Sequence, residues 1–140
     1  MRDSLILRIV SKFMIPVIVL FALYVQFHGE LGPGGGFQAG VILAAALILH
    51  MLVFGLDETR RIAPIKVLRT LSALGVLIYG GTGVITLLLG AQFLNYNVLG
   101  STPAGGQHLG IFLIEVGVAV TVASTLLLLA FVFAARVRDR

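Results

Sequence analysis

The stretch His28-Gly29-Glu30-Leu31-Gly32-Pro33-Gly34-Gly35-Gly36-Phe37-Gln38-Ala39-Gly40 interrupts two long apolar runs. Five glycines and a proline in the nine residues 28–36 cannot continue a helix, because glycine loses the most backbone entropy on ordering and proline supplies no N–H. The run before it covers about residues 9–27 and the run after it about 37–56. Each is about 20 residues long, which at a rise of 1.5 Å per residue matches a hydrocarbon layer about 30 Å thick. The stretch therefore reads as a tight turn between two membrane-crossing helices. Pro33, Gly34, Gly35 and Gly36 make the turn, while Phe37 and Gln38 open the second helix. A positive φ is expected at Gly35, where backbones crowd.

The same pattern repeats farther along the chain. Residues 57–69 form the one connection rich in charge, with Asp57, Glu58, Arg60, Arg61, Lys66 and Arg69. A third apolar run covers about 70–90. Residues 91–107 are polar but uncharged, with Asn95, Asn97, Pro103 and three glycines, and suit a short surface helix or an ordered loop. A fourth run covers about 108–133, and Arg136, Arg138 and Arg140 close the chain. The fold class expected is an all-α membrane protein with four transmembrane helices, forming one integral membrane domain over residues 1–140. Pro16 falls early in the first run, where a mild kink is expected.

Composition agrees. Of 140 residues, 59% are hydrophobic and only 11% charged, against about 25% charged in soluble domains. Such a chain has too much apolar surface to hide from water, and lipid is its natural solvent. Arg2, Arg8 and Lys12 ahead of an apolar run resemble a signal peptide, but the run passes Phe21 and Tyr24 to Phe27 with no small-residue cleavage site, so it reads as a retained span. The net charge of +4 does not point to nucleic acid, because the basic residues lie at the ends and in one connection, on no continuous face. They set topology instead. All ten Lys and Arg residues fall on one side of a four-span arrangement, whereas three or five spans would scatter them. That side is expected to be cytoplasmic, with both termini on it.

Polar residues at membrane depth are the informative exceptions. Glu115 lies two helical turns into the fourth run, and an acid there must face protein or water. It is a candidate for handling a proton or cation, or for a structural hydrogen bond at a helix contact. His108 shares its helix face two turns earlier, too far for direct contact but within reach of a water relay. His50 lies deeper in the second run and reads first as an interhelical hydrogen-bonding residue. Gln38, Thr82 and Thr86 read as packing residues. Gly36-x-x-x-Gly40, Gly106-x-x-x-Gly110 and the glycines at 75, 80, 81 and 83 predict close helix approach.

Other chemistries lack their residues. There is no cysteine, no nucleophile with a paired base and no His or carboxylate spacing for a metal. Neither a metal nor a cofactor is expected, and the chain does not read as an enzyme. The triplet Gly34-Gly35-Gly36 lacks the Lys-Ser/Thr ending of a phosphate loop. The amino-terminal end of the second helix, with Gln38, is nonetheless suited to attract an anion or a neighbour's carboxylate.

Residues 28–40 resemble the motif H-G-x-x-x-P-G-G-G-F-Q-x-G of the MnhB/MrpB family, the small B subunits of the multisubunit Mrp-type sodium/proton antiporter. Ser101-Thr102-Pro103 before a glycine-containing last span, the four-span layout and the length are similar too, so the resemblance covers about residues 13–130. It departs near the head of the last span, where many family members carry an acid close to this position; here that position is His108 and the acid comes later, at Glu115. The resemblance implies a subunit of a hetero-oligomeric antiporter in a prokaryotic cell membrane, packed beside the large A subunit, required for assembly and lining part of an ion route. Related B-like subunits in membrane-bound hydrogenases, which are relatives of respiratory complex I, are the alternative, as is a purely structural subunit. An autonomous carrier is disfavoured, because four spans with one acid do not build a repeated architecture around a midplane site.

Overall fold

The computed structural model describes residues 4–29 and 34–138. Pro33, with Glu30, Leu31 and Gly32, lies outside the described residues, so the expected turn is seen only from Gly34 onward. Among the described residues five α-helices follow one another: α1 (Leu5–His28), α2 (Gly36–Phe54), α3 (Leu56–Ile62), α4 (Ile65–Leu88) and α5 (Pro103–Arg138). A single 3-10 turn, Tyr96–Val98, interrupts the loop before α5. No strand occurs among the described residues. α1, α2, α4 and α5 are long and apolar enough to cross a membrane.

Local chemistry sets the helix ends. Ser4 caps α1, its hydroxyl accepting the Leu7 N–H at 3.3 Å. α1 then runs unbroken through Pro16. α2 is bracketed by two glycines in a region that side chains avoid, Gly35 at φ 120° and Gly55 at φ 103°. The second of these stops α2 at Phe54, short of the expected end at 56. The charged connection is not a loop but folds into α3 and, past Pro64, the first turns of α4, so that Lys66 and Arg69 are helical. α5 starts at Pro103, ahead of His108, and its 36 residues span about 54 Å by helix rise. That exceeds the hydrocarbon layer, so its ends stand in the interfaces.

α5 is the central helix. It packs against α2 on one side and α4 on the other, and α1 packs chiefly against α2. Packing is close because glycine leaves room for it. A β-carbon on Gly40 would meet the Ala119 carbonyl oxygen at 2.8 Å, and one on Gly75 would run into the Thr121 hydroxyl. Ser72 and Thr125 join α4 to α5 by a hydroxyl contact of 3.0 Å. Gly83 receives the ring of Phe93, and Gly110 that of Tyr96. Gly80 and Gly81, by contrast, face open space within this chain. Thr86, fully buried, donates to the Gly83 carbonyl at 2.8 Å and accepts the Leu94 N–H at 3.0 Å, which pins the loop to α4. Burial, and secondarily Tyr79, pushes the Tyr96 phenol above its ordinary range.

Candidate functional site

Glu115 meets the head of α2. The first turn of α2 lies so close to α5 that a β-carbon on Gly36 would collide with the Glu115 carbonyl. The Glu115 carboxylate lies over the glycine turn: its Oε1 is 2.9 Å from where a Gly29 β-carbon would stand and 3.2 Å from that of Gly35. The side-chain oxygen of Gln38 lies 3.5 Å from the same Gly35 position. Three glycines thus cut a notch that only a chain without β-carbons can form, and a half-buried acid occupies it. The turn is closed beneath by the Gly35 N–H donating to the Val25 carbonyl at 3.3 Å.

The arrangement has an electrostatic sense. The first turn of an α-helix carries N–H groups without intrahelical acceptors and the positive end of its dipole. Glu115 brings a carboxyl group to that end of α2. Such a carboxylate can act as a cap joining α5 to α2, or exchange that role for a proton or a small cation arriving by a polar path.

One turn below the notch lies a residue that sequence reasoning passed over. Gln26 of α1 is only 7% exposed, and neither its Nε2 nor its Oε1 has a hydrogen-bond partner. It lines a cavity of about 240 Å³ between α1, α2 and α5, with Ala39, Leu43, Val116 and Ala119 among the walls. The chamber is apolar, its wall includes Val116 next to Glu115 in sequence, and the Gln26 amide is buried beside it. A glutamine facing inward from an apolar helix was the available signal.

His108 lies near the start of α5, exposed, in a shallow cavity of about 260 Å³ with Gly105, Leu109 and Phe112. It shares α5 with Glu115 but not its notch. His50 is elsewhere altogether. It sits 14 residues along α2 from Gly36, roughly 20 Å away by helix rise. There its Nδ1 lies 2.8 Å from the Thr59 hydroxyl, and that hydroxyl donates to the Gly55 carbonyl at 3.0 Å. Since the one hydroxyl proton is committed to Gly55, the histidine donates through Nδ1–H. The ring also packs on Phe54, with centroids 4.7 Å apart. The bond ties α2 to α3, and the three candidates do not form one cluster. No group of His, Asp and Glu able to hold a metal occurs among the described residues.

Comparison with known proteins locates the chain among relatives. Residues 6–128 match a family model described as a domain related to the MnhB subunit of the Na+/H+ antiporter. Proteins named as antiporter subunit mnhB2 from Staphylococcus aureus strains Newman and JH1 are each 35% identical to it over 135 residues. The alignments cover 89% of this chain and 95% of each relative.

Proposed function

This chain belongs to the MnhB family of antiporter-subunit domains, and on that premise we propose that it is the B subunit of a multisubunit Na+/H+ antiporter, with Glu115 lining part of the ion route. It is a multi-pass membrane protein of ion transport. In this reading it forms one integral membrane unit in a prokaryotic cell membrane. Both termini are cytoplasmic, because all ten Lys and Arg residues then fall on that side. It works beside partner subunits, the large A subunit foremost, and serves both their assembly and the passage of ions.

The observation that carries the ion-route role is the Glu115 notch. A half-buried acid at the head of α2, set against glycine backbone and next to a buried glutamine without hydrogen-bond partners, is a costly group to hold between helices unless it serves a purpose there. Gln26, one turn below and without a hydrogen-bond partner, is the buried polar residue on α1 nearest the notch. His108, at the outer start of the same helix face, supports an entrance above it. His50, bonded to Thr59, serves in this reading to hold α3 in place.

The test is sodium/proton exchange in membrane vesicles carrying the complex with Glu115→Gln, with assembly followed on native gels from the same sample. Exchange is expected to fall while assembly persists. Wild-type exchange with normal assembly removes Glu115 from the ion route. A second reading, a purely structural subunit, draws on the same geometry, since a carboxylate at a helix amino terminus also fastens two helices. It predicts lower complex yield with an unchanged rate per assembled complex.

A further inference from the structure

At the opposite end of α1 and α2 from the glycine notch, a cavity of about 490 Å³ is lined by Arg8, Lys12, Ile15, Pro16, His50, Phe54 and Glu58. Its size falls within the range of about 300–1,000 Å³ common to small-molecule sites. Arg8 and Lys12 are one turn apart on α1, so both cations face the same side. The guanidinium of Arg8 lies 5.6 Å from the centre of the Phe54 ring. Among the described residues, neither Arg8 nor Lys12 has a carboxylate within ion-pairing distance. The cavity's one acid, Glu58, is bonded to Arg61 at 3.3 Å. Arg60 turns the other way, over Phe131 of α5. The walls therefore carry two positive charges against one already shared carboxylate.

Depth decides what such a cavity can hold. Lys12 is seven residues into α1, roughly 10 Å by helix rise, which sets it at the boundary between headgroups and hydrocarbon. Ile15 and Pro16 are farther along α1 and give the inner end of the cavity an apolar floor. His50 is fixed by Thr59 and by its tilted packing on the Phe54 ring, so it supplies shape. Two cations around the opening repel a sodium ion and attract an anion. An apolar floor beneath a cationic rim fits an amphiphile whose negative group stays at the interface, and basic pockets between transmembrane helices bind anionic headgroups in this way.

We propose that the Arg8–Lys12 cavity binds the phosphate of an anionic phospholipid headgroup and thereby seats α1 against α2. The site is independent of Glu115 and of the ion route, and its test does not depend on exchange activity.

The test uses the assembled complex in nanodiscs of mixed phosphatidylcholine and phosphatidylglycerol, with a photoreactive diazirine on the headgroup of one lipid or the other. Labelled peptides are mapped by mass spectrometry. The phosphatidylglycerol probe is expected to label residues 8–16 and 50–58 in preference to the phosphatidylcholine probe. The double substitution Arg8→Gln/Lys12→Gln should cut that preference by on the order of 30-fold. Lys66→Gln/Arg69→Gln, which removes two basic residues outside the cavity, should leave it intact. Should the first double variant fail to accumulate, the two probes on the wild-type complex still decide. Equal labelling by both probes overturns the proposal, as does preference unchanged in Arg8→Gln/Lys12→Gln. Loss of label to an equal concentration of inorganic phosphate shows a free-anion site instead. Absence of label from these segments shows the cavity filled by a partner subunit. Either of these results also overturns it.

Discussion

The two ends of α2 begin alike and are put to different uses. Each is bounded by a glycine at a positive φ, Gly35 at 120° and Gly55 at 103°, and each lies beside an ionisable side chain that is half-buried between helices. At the Gly35 end the ionisable group arrives from another helix, α5, and fits only because Gly29, Gly35 and Gly36 have no β-carbon. At the Gly55 end it belongs to α2 itself: His50 is engaged by Thr59, whose hydroxyl in turn caps the Gly55 carbonyl. The first end is a negative group in a notch and the second a tied-down ring beside a cationic cavity. A glycine at a helix boundary therefore says where the backbone turns, and the partner helix decides what the turn is for.

The largest expected effect comes from closing the notch. Gly36→Val drives a branched side chain into the α5 backbone at Glu115, where neither helix has a flexible group to yield. Overpacking of about 1–3 kcal/mol or more should abolish accumulation of the complex, as read by immunoblot of membranes. Normal accumulation would mean that α2 and α5 are not in register at this contact.

Next in size is Glu115→Gln, which keeps the shape of the notch and removes its charge. Exchange per assembled complex should fall at least about tenfold, equivalent to about 1.4 kcal/mol in the rate-limiting barrier. An unchanged rate would make the two ends of α2 equivalent structural caps.

The paired substitutions Gly35→Ala and Gly55→Ala test the comparison directly. Each forces a side chain into a glycine-only conformation at about 1–3 kcal/mol, so both should lower the melting temperature of the purified complex. Only Gly35→Ala also presses a methyl group on the Glu115 carboxylate, 3.2 Å away, so only it should slow exchange beyond its effect on yield. Equal exchange per complex in the two variants would break the distinction.

The smallest effect is expected for Thr59→Val. It removes the hydrogen-bond partner of His50 inside the protein, where Thr59 is fully buried. Stability should drop by about 0.5–1 kcal/mol with exchange per complex unaltered. A slowed exchange would bring His50 into the ion route after all.

Much of the fold was legible because lipid imposes one rule on every span: about 20 apolar residues in a helix, with charges outside. Four runs, a glycine turn and an acid that had to meet protein could all be read from residue type. The helical state of Lys66 and Arg69 was less legible, because a charged stretch looks like a loop until Pro64 is seen as a helix start. The break at Gly55 was hidden for a similar reason. One glycine in an apolar run is compatible with a continuing helix, and only α3, held through Thr59, makes the turn necessary. The roles of Gln26, Arg8 and Lys12 were the least visible. Each is an ordinary residue on its own helix and acquires meaning only from the cavity beside it.

By itself the sequence determined that the chain belongs in a membrane, how many helices are able to cross it and where backbone turns must fall, since hydropathy and backbone freedom are properties of residues taken in order. Only the tertiary structure decided that Glu115 lies at the amino terminus of α2, that His50 is bound to Thr59 some 20 Å away, and that two lysine and arginine cations share a cavity with a single acid. Those are distances between helices, and hydrophobic patterning, which makes all lipid-facing surfaces alike, carries no information about which helix stands next to which.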